Sequence, residues 1–181
     1  MFHNIRKYCF IDKFDTDIIN NQDKKTIIIF RNYKFNNQKE EIILKLKNYC
    51  KKKGIKFLIS NDIKLAVKLD LNGVYIPSFN NEKKHLSYSF KRNFIVIGSA
   101  HNLKEIREKE LQRVHKIVIS SLFKKNDNYL GIYKFMNLKK NTKKNIIPLG
   151  GIKKDNLKKL KLIGCNSFAG ISFYKKKAPK F

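Results

Sequence analysis

Short hydrophobic runs, rich in β-branched residues, recur along the chain and end at residues that break strands. Six of them lie in the first two thirds of the chain: Tyr8–Ile11, Thr26–Phe30, Lys56–Ser60, Gly73–Ile76, Asn93–Gly98 and Lys116–Ser120. Two more lie within Ile146–Ile152 and Gly164–Ser172. Most of these runs are apolar throughout rather than alternating, which is typical of strands buried on both faces of a parallel sheet. The pattern therefore predicts eight parallel strands.

Segments with helical periodicity lie between the predicted strands. Gln38–Lys53 is the clearest, because its apolar residues share one face and its lysines the other. The apolar face consists of Ile42, Ile43, Leu46 and Tyr49. Shorter helices are predicted over Asp15–Asn21, Asp62–Asp70, Leu103–Val114, Leu130–Leu138 and Asp155–Leu162, the last with Asp155 as its N-cap. After the fourth strand only a short helix or a loop is expected.

Eight strands that alternate with helices predict a single α/β domain over residues 1–181, a (β/α)8 TIM barrel. At this length the barrel must be shortened, and its final helix is truncated because only Phe173–Phe181 follow the eighth strand. A doubly wound open sheet, which needs fewer strands, is the alternative. No apolar run has the length of a membrane span or the form of a signal peptide, so we expect a cytoplasmic protein without membrane contact.

The cysteines and histidines show no metal-binding pattern. Cys9, Cys50 and Cys165 are odd in number and lack metal-ligand spacing, so we expect buried thiols in a reducing cytoplasm. The histidines in polar contexts, expected at the surface, are His3, His85 and His115.

The formal net charge of +27 would suit a nucleic-acid-binding protein. Lysine supplies almost all of this charge, because the chain has only five arginines: Arg6, Arg31, Arg92, Arg107 and Arg113. Base readout and phosphate clamps favour the planar arginine fork. The basic residues are also spread over most helices, and the abundance of Lys, Asn, Ile, Phe and Tyr matches an A/T-rich genome. We therefore expect a small anionic metabolite as partner, and not nucleic acid.

The seventh and eighth runs end in small residues that suit an anion. Gly150 and Gly151 close the seventh run, and Ile171 and Ser172 follow the eighth. Glycine lets backbone N–H groups approach an anion, and the loops after strands seven and eight frequently form the phosphate site of (β/α)8 barrels. One glycine after a strand indicates only a turn. Two such loops in adjacent units predict that these four residues bind a phosphate.

Arg31 follows the second run, where period-two geometry places its side chain on the same face as Ile29 and Tyr33. It is the only arginine at the end of a predicted strand, which favours a functional role over a surface one.

The order of the motifs resembles the thiamine phosphate synthase/TenI family over nearly the whole chain. The resemblance rests on Phe30-Arg31, Phe57–Asp62, Gly73–Ser78, Ile97–His101, Leu130-Gly131 with Phe135, Pro148–Ile152 and Ala169–Ser172. It implies a barrel mouth that holds thiazole phosphate, which synthases join to aminopyrimidine methyl diphosphate with release of pyrophosphate. By the same resemblance, the candidate contacts to the diphosphate and the pyrimidine are Arg31, Asn61, Ser99 and Lys124. It leaves His101 open between a structural and a functional role.

The resemblance also implies Mg²⁺, held by two aspartates that follow the third and fourth strands. Asn61 and Asn80 occupy those places here, and Asp62, one residue later, is predicted to be a helix N-cap. Mg²⁺ prefers anionic oxygen ligands, so these amides argue against the metal, and no metal ligand is predicted.

Two functions stay open. One is a thiamine phosphate synthase-like transferase with a rearranged metal site. The other is a TenI-like protein that binds a thiazole phosphate or a similar metabolite without catalysing the condensation, and the missing carboxylates favour it. Tautomerase-type relatives carry a catalytic histidine near the place of Ser121, and serine without a paired base transfers protons poorly. No catalytic residue is assigned, and a homo-oligomer is compatible with the sequence.

Overall fold

The computed structural model describes residues 5–34 and 39–174 and forms a closed barrel of eight parallel strands. In chain order, the strands are β1 (Arg6–Ile11), β2 (Thr26–Phe30), β3 (Lys56–Ser60), β4 (Gly73–Ile76), β5 (Ile95–Ala100), β6 (Lys116–Ser120), β7 (Asn145–Leu149) and β8 (Ser167–Gly170). Each strand pairs with its sequence neighbours, and β8 closes the barrel on β1 through Arg6–Cys9 and Ser167–Gly170. The predicted barrel is confirmed, and the open sheet is excluded.

Helices connect the strands on the outside of the barrel. They are α1 (Thr16–Asn20), α2 (Lys39–Lys52), α3 (Ile63–Lys68), α4 (Leu103–Leu111), α5 (Gly131–Lys140) and α6 (Leu157–Leu162). The β4–β5 connection contains only a short 3₁₀ helix, Lys84–Ser87, as predicted. The helix predicted from Gln38 begins at Lys39 in the described chain, because Gln38 lies outside the described residues.

The side chains of the strands separate into two hydrophobic cores. One fills the barrel and consists of Tyr8, Phe10, Ile27, Ile29, Leu58, Tyr75, Ile97, Val118, Ile147 and Ala169. The other lies between the barrel and the helices, where Ile43 and Leu46 of α2 are fully buried. Successive side chains of a strand point to opposite faces, so both faces are apolar and the runs read as continuously hydrophobic.

Two local predictions need correction. The fifth strand begins at Ile95 and continues through Ser99 and Ala100, which pair with Val118 and Ile119 of β6. Ser99 therefore belongs to the strand and not to the loop after it, because pairing with a neighbour extends a strand beyond its apolar run.

Asp155 is not an N-cap. It lies inside a 3₁₀ turn, Lys154–Asn156, where the Asn156 side chain accepts a hydrogen bond from the Lys153 N–H at 2.9 Å. A side chain later in the turn thus caps this helix start.

The chain after β8 folds back on the barrel. Phe173 and Tyr174 pack on Phe168 with ring centroids 4.8 and 6.5 Å away. Residues 175–181, where the truncated final helix was predicted, lie outside the described residues.

The three cysteines are buried and form no disulfide, and burial raises the pKa of the Cys9 and Cys50 thiols to about 12. Within the described ranges, no helix combines the length and the apolarity needed to cross a membrane.

Candidate functional site

The candidate residues gather at one end of the barrel, because parallel strands all end there. This end is called the mouth below. The candidates that follow strand ends are Arg31 after β2, Asn61 after β3, Lys124 after β6, Gly150 and Gly151 after β7, and Ile171 and Ser172 after β8. Ser99 lies one residue before the end of β5 and is 5% exposed.

The loop after β7 is tied to the loop after β6. The Leu122 and Phe123 N–H groups donate to the carbonyls of Leu149 and Gly150 at 2.9 and 2.8 Å. Gly150 and Gly151 have φ angles of 103° and 71°, in the region that favours glycine.

No side chain fits at either glycine. A Cβ at Gly150 would overlap Ser121 Oγ, and a Cβ at Gly151 would lie 2.5 Å from the backbone nitrogen of Lys124. The pair of glycines therefore allows the two loops to touch. The Lys124 backbone lies against Gly151, while its side chain is exposed.

Backbone donors are available at this part of the mouth. Among the described residues, neither the Gly151 N–H nor the Ser172 N–H donates a hydrogen bond. The Gly151 carbonyl, by contrast, accepts a hydrogen bond from Asn156 Nδ2 at 2.9 Å, which holds the loop in place. Free N–H groups in a glycine loop can bind an anion without any rearrangement.

A second group of side chains surrounds Tyr75, an inward-facing residue of β4 that is 3% exposed. Its ring packs edge-on against Phe10 at 5.1 Å, and the Arg31 guanidinium lies over the same Phe10 ring at 4.9 Å. Burial raises the pKa of the Tyr75 hydroxyl to about 12, while the neighbouring Ser99 and Arg31 side chains act in the opposite direction. Arg31 therefore shares the inner face of the barrel with Ile29, as the period-two alternation predicts.

Sequence reasoning missed Tyr75, although a signal was present. Alternation along β4 puts Tyr75 on the face opposite Val74 and Ile76, and its hydroxyl is the polar group in an otherwise apolar run. With a pKa of about 12, the hydroxyl is protonated near neutral pH and can donate a hydrogen bond to a ligand in the mouth.

The two asparagines at the implied metal positions bind each other. Asn80 Nδ2 donates to Asn61 Oδ1 at 2.7 Å, and Asn80 Oδ1 accepts from the Glu82 N–H at 2.8 Å. Asn61 has a φ of 62°, which asparagine tolerates better than most residues, and its N–H donates to the Tyr75 carbonyl at 2.8 Å. Both amides line a cavity of about 210 Å³.

This pair does not fit Mg²⁺. The Asn61 amide oxygen is already hydrogen-bonded, and neither residue carries the charge that the ion prefers. Asp62 is the N-cap of α3, accepting a hydrogen bond from the Leu65 N–H at 3.0 Å, so the predicted cap is confirmed. Among the described residues no group of three or more His, Cys, Asp or Glu side chains is arranged to hold a metal ion.

A buried lysine anchors the loop that carries Asn80. Lys109 of α4 is fully buried, and its ammonium donates to the carbonyls of Pro77 and Asn80 at 2.8 and 2.6 Å. It also donates to Gln112 Oε1 at 2.9 Å, and Gln112 Nε2 in turn donates to the carbonyls of Asn80 and Glu82. This network fixes the backbone on both sides of Asn80.

The histidines have structural contacts. His101 Nδ1 lies 2.9 Å from Glu105 Oε2, and the same oxygen accepts from the His101 N–H, so this residue supports the start of α4. His85 is 3% exposed, with Nε2 2.9 Å from the Gln112 carbonyl, and its predicted surface position is wrong. Its partner Gln112 caps the end of α4, far from His85 in the sequence. His3 lies outside the described residues.

Ser121, which stands near the tautomerase histidine position, is 2% exposed, and its hydroxyl donates to the Lys124 carbonyl at 2.8 Å. The hydroxyl therefore stabilises the loop, and no described histidine or carboxylate is hydrogen-bonded to it.

Known proteins resemble this chain along most of its length. The model of the family described as "Thiamine monophosphate synthase" matches residues 18–173. A thiamine-phosphate synthase of Prochlorococcus marinus is 32% identical over 136 residues, which are 70% of this chain and 38% of that protein. A thiamine-phosphate synthase of Lactococcus lactis is 24% identical over 172 residues, 92% of this chain and 77% of that protein.

The fold has counterparts among solved structures. A thiamine phosphate pyrophosphorylase from Pyrococcus furiosus superposes with a TM-score of 0.76 at 20% identity, covering 94% of this chain and 87% of the other. The first relatives by sequence are matched over only part of their length, 38% in the Prochlorococcus protein and 40% in a Staphylococcus epidermidis thiamine-phosphate synthase. The family match nevertheless extends over most of this chain, and the chain belongs to the thiamine monophosphate synthase family.

Proposed function

We propose that this protein acts in thiamine biosynthesis by binding thiazole phosphate at the mouth of its barrel. The observation that carries the proposal is the Gly150-Gly151 turn. No side chain fits there, and the Gly151 N–H donates no hydrogen bond within the described chain. Ser172, in the loop after the adjacent strand, offers another N–H and a hydroxyl. Together with Gly150 and Ile171, these residues would surround the phosphate oxygens.

A second candidate function is the condensation itself, and the group around Tyr75 favours it. In that reaction, the bond between the pyrimidine methylene carbon and the diphosphate oxygen breaks, and the diphosphate leaves with the electron pair. The thiazole nitrogen then bonds to the methylene carbon. Arg31 and Lys124 would neutralise the leaving diphosphate, while Tyr75 and Ser99 would donate hydrogen bonds to it.

The paired amides favour binding over catalysis. Asn61 and Asn80 satisfy each other and do not supply the negative charge of a Mg²⁺ site, so no step of the condensation is assigned to the metal. We propose Asn61 as a contact to the diphosphate or pyrimidine only. The partner is accordingly a small phosphorylated metabolite.

We place the protein in the cytoplasm, since its buried thiols remain unpaired as in a reducing compartment.

A thermal-shift titration tests the binding site. Thiazole phosphate at one hundred times its Kd should stabilise the wild type by about 2.7 kcal/mol, and Gly151→Asp should abolish this shift by placing a carboxylate where the phosphate binds. Gly54→Asp is the matched control. Gly54 has a similar φ of 67° but precedes β3 at the opposite end of the barrel, so this variant should lose stability and keep the shift.

A synthase assay separates the two functions. The wild type is mixed with aminopyrimidine methyl diphosphate, thiazole phosphate and Mg²⁺, and thiamine phosphate is measured. Thiamine phosphate formation would support the condensation. A thermal shift without product would support binding alone. If Gly151→Asp and Gly54→Asp respond equally to thiazole phosphate, the proposed phosphate site is wrong.

A further inference from the structure

The end of the barrel opposite the mouth, called the floor below, has an unusual inner layer. Side chains alternate along a strand, so residues two positions before inward-facing Tyr8, Leu58 and Val118 also point inward. The described floor residues, one from each of seven strands, are Arg6, Lys56, Gly73, Ile95, Lys116, Asn145 and Ser167. Three of these are cationic and none is acidic.

The contacts of Lys116 show how the floor is arranged. Lys116 Nζ donates to the hydroxyl of buried Tyr8 at 3.1 Å and lies 5.9 Å from the centre of its ring. Burial lowers the pKa of Lys116, and the charges of Arg6 and Lys56 lower it further. No described carboxylate forms an ion pair with Arg6 or Lys116, so this charge is not balanced within the described chain.

A cavity of about 360 Å³ opens beside these residues. Its cationic lining consists of Arg6, Lys116, Lys139 and Lys144, and its neutral polar lining of Asn145, Asn166 and Ser167. Among the described lining residues there is no carboxylate.

Lys139 and Lys144, the other two cations of the lining, also have contacts or charge partners of their own. Lys139 donates to the carbonyls of Ile163 and Gly164 at 2.7 and 2.8 Å, and the charge of Lys144 helps to lower the pKa of Glu110. Lys116 donates to the neutral Tyr8 hydroxyl, and among the described residues neither Lys116 nor Arg6 has a carboxylate partner.

The lysine-rich composition does not account for this arrangement. A general excess of lysine adds charge to solvated helix faces, where water screens it. Lys116 instead occupies an inward position of a strand, where neighbouring positive charges and burial both disfavour the ammonium.

We propose that the barrel floor is a second anion site, which binds a compact diphosphate or triphosphate group, free or esterified. Several negative charges on one small ligand would balance Arg6 and Lys116 together, and the neighbouring amides and hydroxyl would complete its hydrogen bonds. A single phosphate would occupy only a small part of the cavity. The site lies at the opposite end from the mouth and does not depend on the function proposed there.

Calorimetric titration of the full chain with inorganic tripolyphosphate tests this proposal at about 150 mM salt, where exposed charges are screened. The wild type should bind, and Lys116→Gln should weaken binding about ten-fold or more, because a charge-assisted contact is lost. Lys116→Arg should retain binding. Lys134→Gln, which removes an exposed lysine on α5, should have no effect. Gly151→Asp, which alters only the mouth, should also bind normally.

Each contrary result overturns the floor site. Equal weakening of tripolyphosphate binding by Lys116→Gln and Lys134→Gln would show that only the total charge matters. Loss of binding in Gly151→Asp would show that tripolyphosphate binds at the mouth. A short single-stranded RNA that binds more tightly than tripolyphosphate, and loses affinity in Lys116→Gln, would assign the floor to nucleic acid instead. ATP that binds like tripolyphosphate would indicate that the phosphates alone are recognised, in support of the proposal. Thermal unfolding of each variant without ligand verifies that it is folded.

Discussion

Asn61 and Asn80, from the loops after β3 and β4, are joined side chain to side chain by a hydrogen bond of 2.7 Å. In the family that the chain resembles, these loops supply the aspartates that hold Mg²⁺. Two aspartates at these positions would repel each other without a cation. The two neutral amides instead form a hydrogen bond there. The loops are tied together by their own side chains.

Restoring both carboxylates should restore a metal response. The double variant Asn61→Asp/Asn80→Asp should be less stable than the wild type without metal, because the hydrogen bond is replaced by repulsion. Mg²⁺ should then raise its Tm in a concentration-dependent manner and leave the wild type unchanged. The single variant Asn61→Asp keeps an acceptor for Asn80 Nδ2 and serves as the control. A wild type stabilised by Mg²⁺ as strongly as the double variant would refute the conclusion that the amides do not fit the ion.

Asp62 should behave as a helix cap. Its carboxylate accepts from the Leu65 N–H at 3.0 Å, as that of Asp15 accepts from the Ile18 N–H at 2.9 Å. Each change to alanine should lower the free energy of unfolding by about 1 kcal/mol, as measured by urea denaturation. If the two variants lose unequal amounts of unfolding free energy, and only Asp62→Ala shows a smaller thermal shift with thiazole phosphate, Asp62 would instead have a role in binding.

Lys109 should be important for stability and for the position of the β4 loop. Lys109→Met removes the donor to Pro77 O, Asn80 O and Gln112 Oε1. We expect the free energy of unfolding to fall by about 2–4 kcal/mol. Lys104→Met changes an exposed lysine of the same helix and should stay within about 0.5 kcal/mol of the wild type. Hydrogen exchange should also increase at Asn80 and Glu82 in Lys109→Met alone. Unchanged exchange there would contradict the anchoring role.

The same lysine should make stability depend on pH. Burial lowers the pKa of Lys109 from 10.5 to about 8, against the charges of Glu105 and Glu108. Between these pH values the unfolded chain binds more protons than the folded one, so the contribution of Lys109 to stability rises with pH. The difference in unfolding free energy between wild type and Lys109→Met should therefore grow from pH 8 to pH 10.5, by about 3 kcal/mol in total. A difference that is constant or falls over this range would contradict the lowered pKa.

The barrel itself could be predicted from local patterns. Continuous apolar runs occur where a strand is buried on both faces, and this signal lies within a few neighbouring residues. The N-cap at Asp62, the short first helix and the burial of the cysteines were predicted for the same reason. The end of β5 was misplaced because Ser99 and Ala100 are held by pairing with β6, which no local pattern records.

Most of the candidate site depends on residues far apart in the chain. Period-two alternation put Arg31 on the inner face, but its place above Phe10 requires β1 and β2 to pair in register. The burial of His85 and Lys109 results from the contact of α4 with the β4 loop, and both residues look like surface residues in the sequence.

Sequence alone therefore determined the order of the elements, favoured the parallel barrel over an open sheet and located most strand ends, because hydrophobic periodicity is a local property. Tertiary structure decided which of those residues meet. Pairing of β3 with β4 brings Asn61 to Asn80, and pairing of β6 with β7 brings Gly151 to the Lys124 backbone. Barrel closure gathers Arg6, Lys56 and Lys116 at the floor. Electrostatic attraction and repulsion depend on distances in space, and the fold sets those distances.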